Sequence, residues 1–124
     1  MSQVTNLLQN YDLGQRDFSG LSLANASLSH ADLKGSDLSY SDLSNVDLSK
    51  ANLRGVDLSY AKLSQVDLHH ADLRGAMLIG TDLRETSLND ANLQDADYIP
   101  GTTRFPNEFD PSQANMCPVE IEAK

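Results

Sequence analysis

Tryptophan is absent, aromatic residues make up only 6% of the chain, and the single cysteine, Cys117, has no partner for an internal disulfide. Any core must therefore be aliphatic, with leucine dominating it, and nothing covalent staples it. Basic residues are scarce as well, with 9 Lys plus Arg against 18 Asp plus Glu, a formal charge of -9. A surface of that sign repels phosphates, so direct nucleic-acid binding is disfavoured. No run of apolar residues is long enough to span a bilayer, and the opening MSQVTNLLQN lacks the basic and apolar regions of a secretory signal. A reduced, cytoplasmic setting is the expectation, with no membrane involved. At 124 residues, the chain has room for one small domain.

What the chain does have is a repeat. Leucine or an aromatic residue stands at every fifth position from Leu13 to Tyr98, 18 positions in all, and only Phe18 and Tyr98 are not leucine. Two residues before each centre the residue is mostly small (Ala31, Ser36, Ser41, Val46, Ala51), and one residue before it is usually Asp or Asn. A five-residue period suits neither ordinary element. On a helix, five steps of about 100° rotate each leucine by about 140° from the last, so no apolar stripe forms. On a straight strand an odd spacing sends alternate leucines to opposite faces. The pattern closes only if the chain turns after every five residues, each short side sending its centre leucine and the preceding small residue inward.

A second period sets the number of sides. Residues 30–49 and 50–69 are identical at 12 of 20 positions, and Gly35, Gly55 and Gly75 fall in phase, as do Tyr40 and Tyr60. Four pentapeptides then complete one circuit of a square parallel coil, with residue n stacked on n-20 at the strand spacing of about 4.8 Å. Eighteen units correspond to about 4.5 coils and a rod roughly 22 Å long at that spacing.

The units ADLKG, ANLRG, ADLRG and ANLQD are similar to those of the pentapeptide repeat proteins, over residues 11–100. That resemblance implies an all-β fold, a right-handed quadrilateral parallel β-helix, and it is the resemblance that supplies the hand. Tyr11, Arg16 and Leu21 are too large for the small interior position, so a distorted first turn is expected, while Lys62 and Met77 replace the polar residue before the centre.

Open ends of such a stack invite growth and need covers. Val4, Leu7, Leu8 and Tyr11 lie at helical spacing behind Ser2, predicting a short N-terminal capping helix within residues 1–10. The period stops at Pro100-Gly101, and Phe105, Phe109 and Met116 within 101–117 offer a C-terminal lid, with residues 118–124 as a flexible tail. Covered ends predict a monomer, and a bare one an end-to-end dimer.

Chemistry is thin by comparison. The Asp ladders are a consequence of the repeat, with neighbours such as Asp37 and Asp57 repelling by about 1 kcal/mol or less in water. A convex rod offers no pocket for a catalytic pair. His69, His70 and His30 are candidate metal ligands, but His30 and His70 are two circuits, about 10 Å, apart, too far to share an ion, and exposed surface histidines are expected. Stacking of Asp90 on His70 does not change that reading, and the expectation is no metal site, no cofactor and no enzyme activity.

Two surface features stand out. Lys34, Arg54 and Arg74 form a basic column, and Tyr40, Tyr60, Met77, Ile79 and Ile99 mark the least polar side. A noncatalytic interaction module presenting a rigid surface to a protein partner follows from a regular coil without a pocket. The tail FPNEFDPSQANM resembles those of short bacterial members of the family, which are abundant in cyanobacteria and have no known activity. Other members imply an alternative, DNA mimicry directed at an enzyme such as gyrase. Residues 11–100, however, carry 14 acids and 7 bases, about one net charge per 3 Å against one per about 1.7 Å for duplex DNA.

Overall fold

The computed structural model describes residues 2–120. Helix α1 (Gln3–Asp12) is followed by a continuous coil of short sides linked by tight corners, and β1 (Asp97–Tyr98) pairs in parallel with β2 (Cys117–Pro118). Between them, parallel bridges join Asp17 to Asp37, Asp37 to Asp57, Asp57 to Met77 and Met77 to Asp97, with matching files on the other sides. The 20-residue register is thus the circuit of the coil, four pentapeptides to a turn.

The corners explain why a side is only five residues long. The amide of Ser36 donates to the Leu33 carbonyl at 3.0 Å and that of Ala71 to Leu68 at 2.9 Å, while the third residue of each such turn has positive φ. This is the type II pattern. Positive φ recurs at every fifth residue from Gly20 to Asp95 except Glu85, and glycine occupies only some of these places. Tyr40, Lys50, Tyr60 and His70 hold φ between 58° and 61°, a conformation that costs a side chain with a Cβ about 1–2 kcal/mol. The Asp or Asn before each centre supports the same corner, its Oδ1 accepting the amide two residues on, as at Asp42 to Ser44 (3.0 Å), Asp67 to His69 (2.9 Å) and Asn52 to Arg54 (3.2 Å). These acids therefore shape the turns as well as keeping the surface solvated.

Inside, the leucines from Leu23 to Leu83 are all essentially inaccessible and form one cluster with Val46, Val56, Val66 and the small alanines. Hydroxyls at the small position donate across the circuit, Thr81 Oγ1 to the Leu58 carbonyl at 2.9 Å and Thr86 Oγ1 to Leu63 at 3.0 Å. Ser41 does the same to Phe18 at 3.2 Å. Ser36 is buried with no such partner, because the equivalent acceptor is Leu13, which has left the coil.

That departure is the main correction at the N-terminus. The helix runs on to Asp12, two residues beyond the expected 1–10 cap, and Leu13, counted as the first interior leucine, is its C-cap and is 85% exposed. Ser2 caps the other end, its Oγ accepting the Thr5 amide at 3.1 Å, and Leu7 is the helix residue that is fully buried. Tyr11 belongs to the helix and donates its hydroxyl to the Lys34 carbonyl at 2.7 Å, with the Arg16 guanidinium 3.6 Å above its ring. Bulk excludes all of these from the small interior position, so the coil begins at Asp17.

At the other end the chain does not lie across the coil as a separate lid. It continues it: Asp82 bridges to Arg104 at a separation of 22, and the register has returned to 20 where Asp97 meets Cys117. Thr103 takes the place of a small interior residue and donates to the Leu78 carbonyl at 2.7 Å. Phe105 packs edge-on against Tyr98 and is stacked on Phe109, and Met116 is buried in the core against which these rings pack. Of the expected tail, Pro118 belongs to β2 and the Val119 amide donates to the Tyr98 carbonyl, while residues 121–124 lie outside the described residues. No described helix is long and apolar enough to cross a membrane.

Candidate interaction surface

The least polar side is assembled by the register. Tyr40, Tyr60 and Gly80 occupy the same corner on successive circuits, and the two tyrosine rings stack at 5.2 Å with an angle of 18°. Tyr60 in turn lies flat over Gly80, where an added Cβ would fall onto its ring, 2.6 Å from Cδ1. The absence of a side chain at Gly80 is what lets Tyr60 lie down. Tyr40 remains 68% exposed, Tyr60 49% and Met77 41%, whereas Ile79 and Ile99 are half-buried. Ile99 also belongs to the final irregular circuit, its amide donating to Thr103 Oγ1. The exposed apolar surface of this side is therefore centred on Tyr40, Tyr60 and Met77, and these three stay exposed with the chain described to residue 120.

The basic column is present, and one of its members, Arg74, is paired with a carboxylate. Arg74 grips Asp72 through two parallel bonds, Nε to Oδ1 at 2.9 Å and Nη2 to Oδ2 at 2.7 Å. Those bonds hold the Asp72 carboxyl below its usual range, with burial working in the opposite direction. Arg54 follows an asparagine, so it lacks the carboxylate two residues back that Arg74 uses. Lys34 follows Asp32, whose Oδ1 accepts the Lys34 amide. A second pair of the same kind joins Arg84 to Asp82, outside the column, and its carboxyl is lowered for the same reason. The signal was there in the shared spelling Asp-Leu-Arg at 72–74 and 82–84. At several other corners a serine replaces the arginine: Ser19, Ser44 and Ser49 donate both hydroxyl and amide to Asp17, Asp42 and Asp47, and lower those carboxyls.

The histidines divide. His30 stands two circuits from His70, as the spacing required, but His69, His70 and Asp90 converge, with one donor atom from each within 4.8 Å of the others. His70 Nε2 is 3.6 Å from Asp90 Oδ2, and the two imidazoles meet edge to face at 4.0 Å between centroids. Adjacent histidines on a straight strand would point to opposite faces, whereas at this corner their rings share one side.

A hollow of about 170 Å³ sits between the helix and the first circuit, lined by Leu7, Phe18, Leu21 and Leu23, and open depressions of about 370 and 480 Å³ flank the final irregular circuit.

Pentapeptide repeats match in 8 copies spanning residues 17–97 in overlapping stretches. The chain is 49% identical to alr5209, a pentapeptide repeat protein from Nostoc PCC 7120, over 94% of this chain and 95% of that one, with a TM-score of 0.89. HetL, a pentapeptide repeat protein of the same cyanobacterium involved in heterocyst differentiation regulation, is 36% identical over 78% of this chain and 45% of its own, with a TM-score of 0.40. QnrB1, a plasmid-mediated fluoroquinolone resistance protein, is 20% identical over 82% of this chain and 48% of its own, with a TM-score of 0.55, a likeness of fold alone. No curated protein matches the chain. The chain belongs to the pentapeptide repeat family, whose solved members form right-handed quadrilateral β-helices.

Proposed function

We propose that the protein is a noncatalytic, cytoplasmic interaction module, a rigid rod of about five circuits, the last one irregular, that offers the Tyr40, Tyr60 and Met77 surface to a protein partner. The observation that carries this reading is the exposed tyrosine stack, held by a corner geometry that costs energy at both residues and by a glycine that leaves room for one ring. Tyrosine supplies large contact area with little side-chain entropy to lose, and a backbone fixed on both sides by ladder bonds keeps the ordering cost of binding low. The half-buried Ile79 extends the apolar ground beside the rings.

The basic column contributes less, because Arg74 is already engaged by Asp72. DNA mimicry is the weaker alternative, since the net acidic density is below that of a duplex and the acids are interspersed with paired bases, Arg74 on Asp72 and Arg84 on Asp82, that a phosphate backbone does not have. With a helix over one end and an irregular circuit over the other, the rod is a monomer in this reading. Affinity capture from a cyanobacterial extract tests the proposal: a Tyr40→Asp, Tyr60→Asp double variant, with an unchanged melting profile, loses the partner that the wild-type chain retains. The same partners on both proteins would refute it.

A further inference from the structure

We propose that His69, His70 and Asp90 hold one divalent transition-metal ion at a corner of the coil, two imidazoles from one circuit and a carboxylate from the next. All three donors are already gathered within 4.8 Å. Around a tetrahedral ion with bonds of about 2.0–2.2 Å, neighbouring donors are roughly 3.3–3.6 Å apart. The 3.6 Å between His70 Nε2 and Asp90 Oδ2 is therefore close to that of a ligated pair, and what remains is a small rotation of exposed side chains.

The backbone beneath these side chains is fixed. His69 and His70 are the two central residues of the turn closed by the Ala71 amide on the Leu68 carbonyl at 2.9 Å, above a leucine with no exposure. Asp67 Oδ1 pins the His69 amide, and the His70 amide donates to the Asn89 carbonyl at 3.0 Å, tying this corner to that of Asp90. An ion bound here would bridge adjacent circuits on the outside of the coil. Two neutral imidazoles and one carboxylate suit Zn²⁺, Co²⁺, Ni²⁺ or Cu²⁺, whereas Mg²⁺ and Ca²⁺ prefer an all-oxygen set. Remaining coordination positions face solvent, open to water. Lys50 occupies the same corner one circuit below His70, on the side away from Asp90.

The test is calorimetric titration of ZnCl2 and CoCl2 into the full, untagged chain. One ion per chain is expected, with no heat from MgCl2. His70→Asn, chosen because asparagine tolerates positive φ, and Asp90→Asn should each weaken binding at least tenfold, while His30→Asn leaves it unchanged. Far-ultraviolet melting of the metal-free variants shows that the coil is intact. Broadening of the His69 and His70 ring resonances by substoichiometric Co²⁺ locates the ion independently of affinity. No zinc binding, binding equal in all variants, or broadening confined to other residues would overturn the proposal and leave His70 and Asp90 as a surface contact between neighbouring circuits.

Discussion

Leu13 and Leu53 occupy the same position of the repeat on paper, and the structure predicts opposite consequences for shortening them. Leu53 is inaccessible and stands in its file between Leu33 and Leu73, also inaccessible. Removing three carbons there forfeits their transfer from water and leaves a hole that ladder bonds on all sides prevent from collapsing, a loss of about 3–5 kcal/mol. Leu13 is 85% exposed at the end of α1, so Leu13→Ala removes little buried surface and shifts stability by about 0.5 kcal/mol or less. Equilibrium urea unfolding followed by circular dichroism at 25 °C separates the two. Leu53→Ala should lower the midpoint by more than about 1 M, given urea slopes of about 1–3 kcal/mol/M, while Leu13→Ala leaves it near the wild type. Equal losses would mean that the coil begins at the first repeat after all, and a loss below about 1 kcal/mol for Leu53→Ala would mean that the interior is not tightly packed.

Two further outcomes follow from the corners and their acids. Lys50→Gly should stabilise the chain by about 0.5–1 kcal/mol, relief of the positive-φ cost less the added freedom of the unfolded chain, and Gly35→Ala, whose Cβ would meet nothing within 4 Å, should cost a similar amount; matched thermal melts check both signs. Asp17, Asp42 and Asp47 ionise more readily in the folded chain than in the unfolded one, so their contribution is present above the ordinary carboxylate range near pH 4 and is lost as pH falls through the lowered folded values. The triple Asp→Asn variant, which keeps the amide-accepting oxygen as Asn52 does, should show a shallower fall in melting temperature between about pH 4 and pH 2, and identical acid limbs would refute the assignment.

The periods of five and twenty were enough to determine the middle of this protein. A unit with like neighbours above and below meets one set of constraints at every repeat, so inward leucines, small companions and turn-shaping Asp residues could be read from spacing, and Tyr40 and Tyr60 placed on one side. Only the tertiary structure decided the ends and the corners. Tyr11 and Arg16 are too large for the interior and the helix holds Leu13 outside it, although its spacing is that of the others. Residues 101–119 carry no five-residue signal, yet they extend the ladder through a separation of 22 before returning to 20, because the last regular circuit still has backbone groups to pair. The convergence of His69 and His70 with Asp90, and the tyrosine ring resting on Gly80, depend on which way side chains leave a left-handed corner. A repeat records the register of its backbone, whereas the directions of side chains at a turn and the covering of a terminal layer are set by neighbours that the period does not describe.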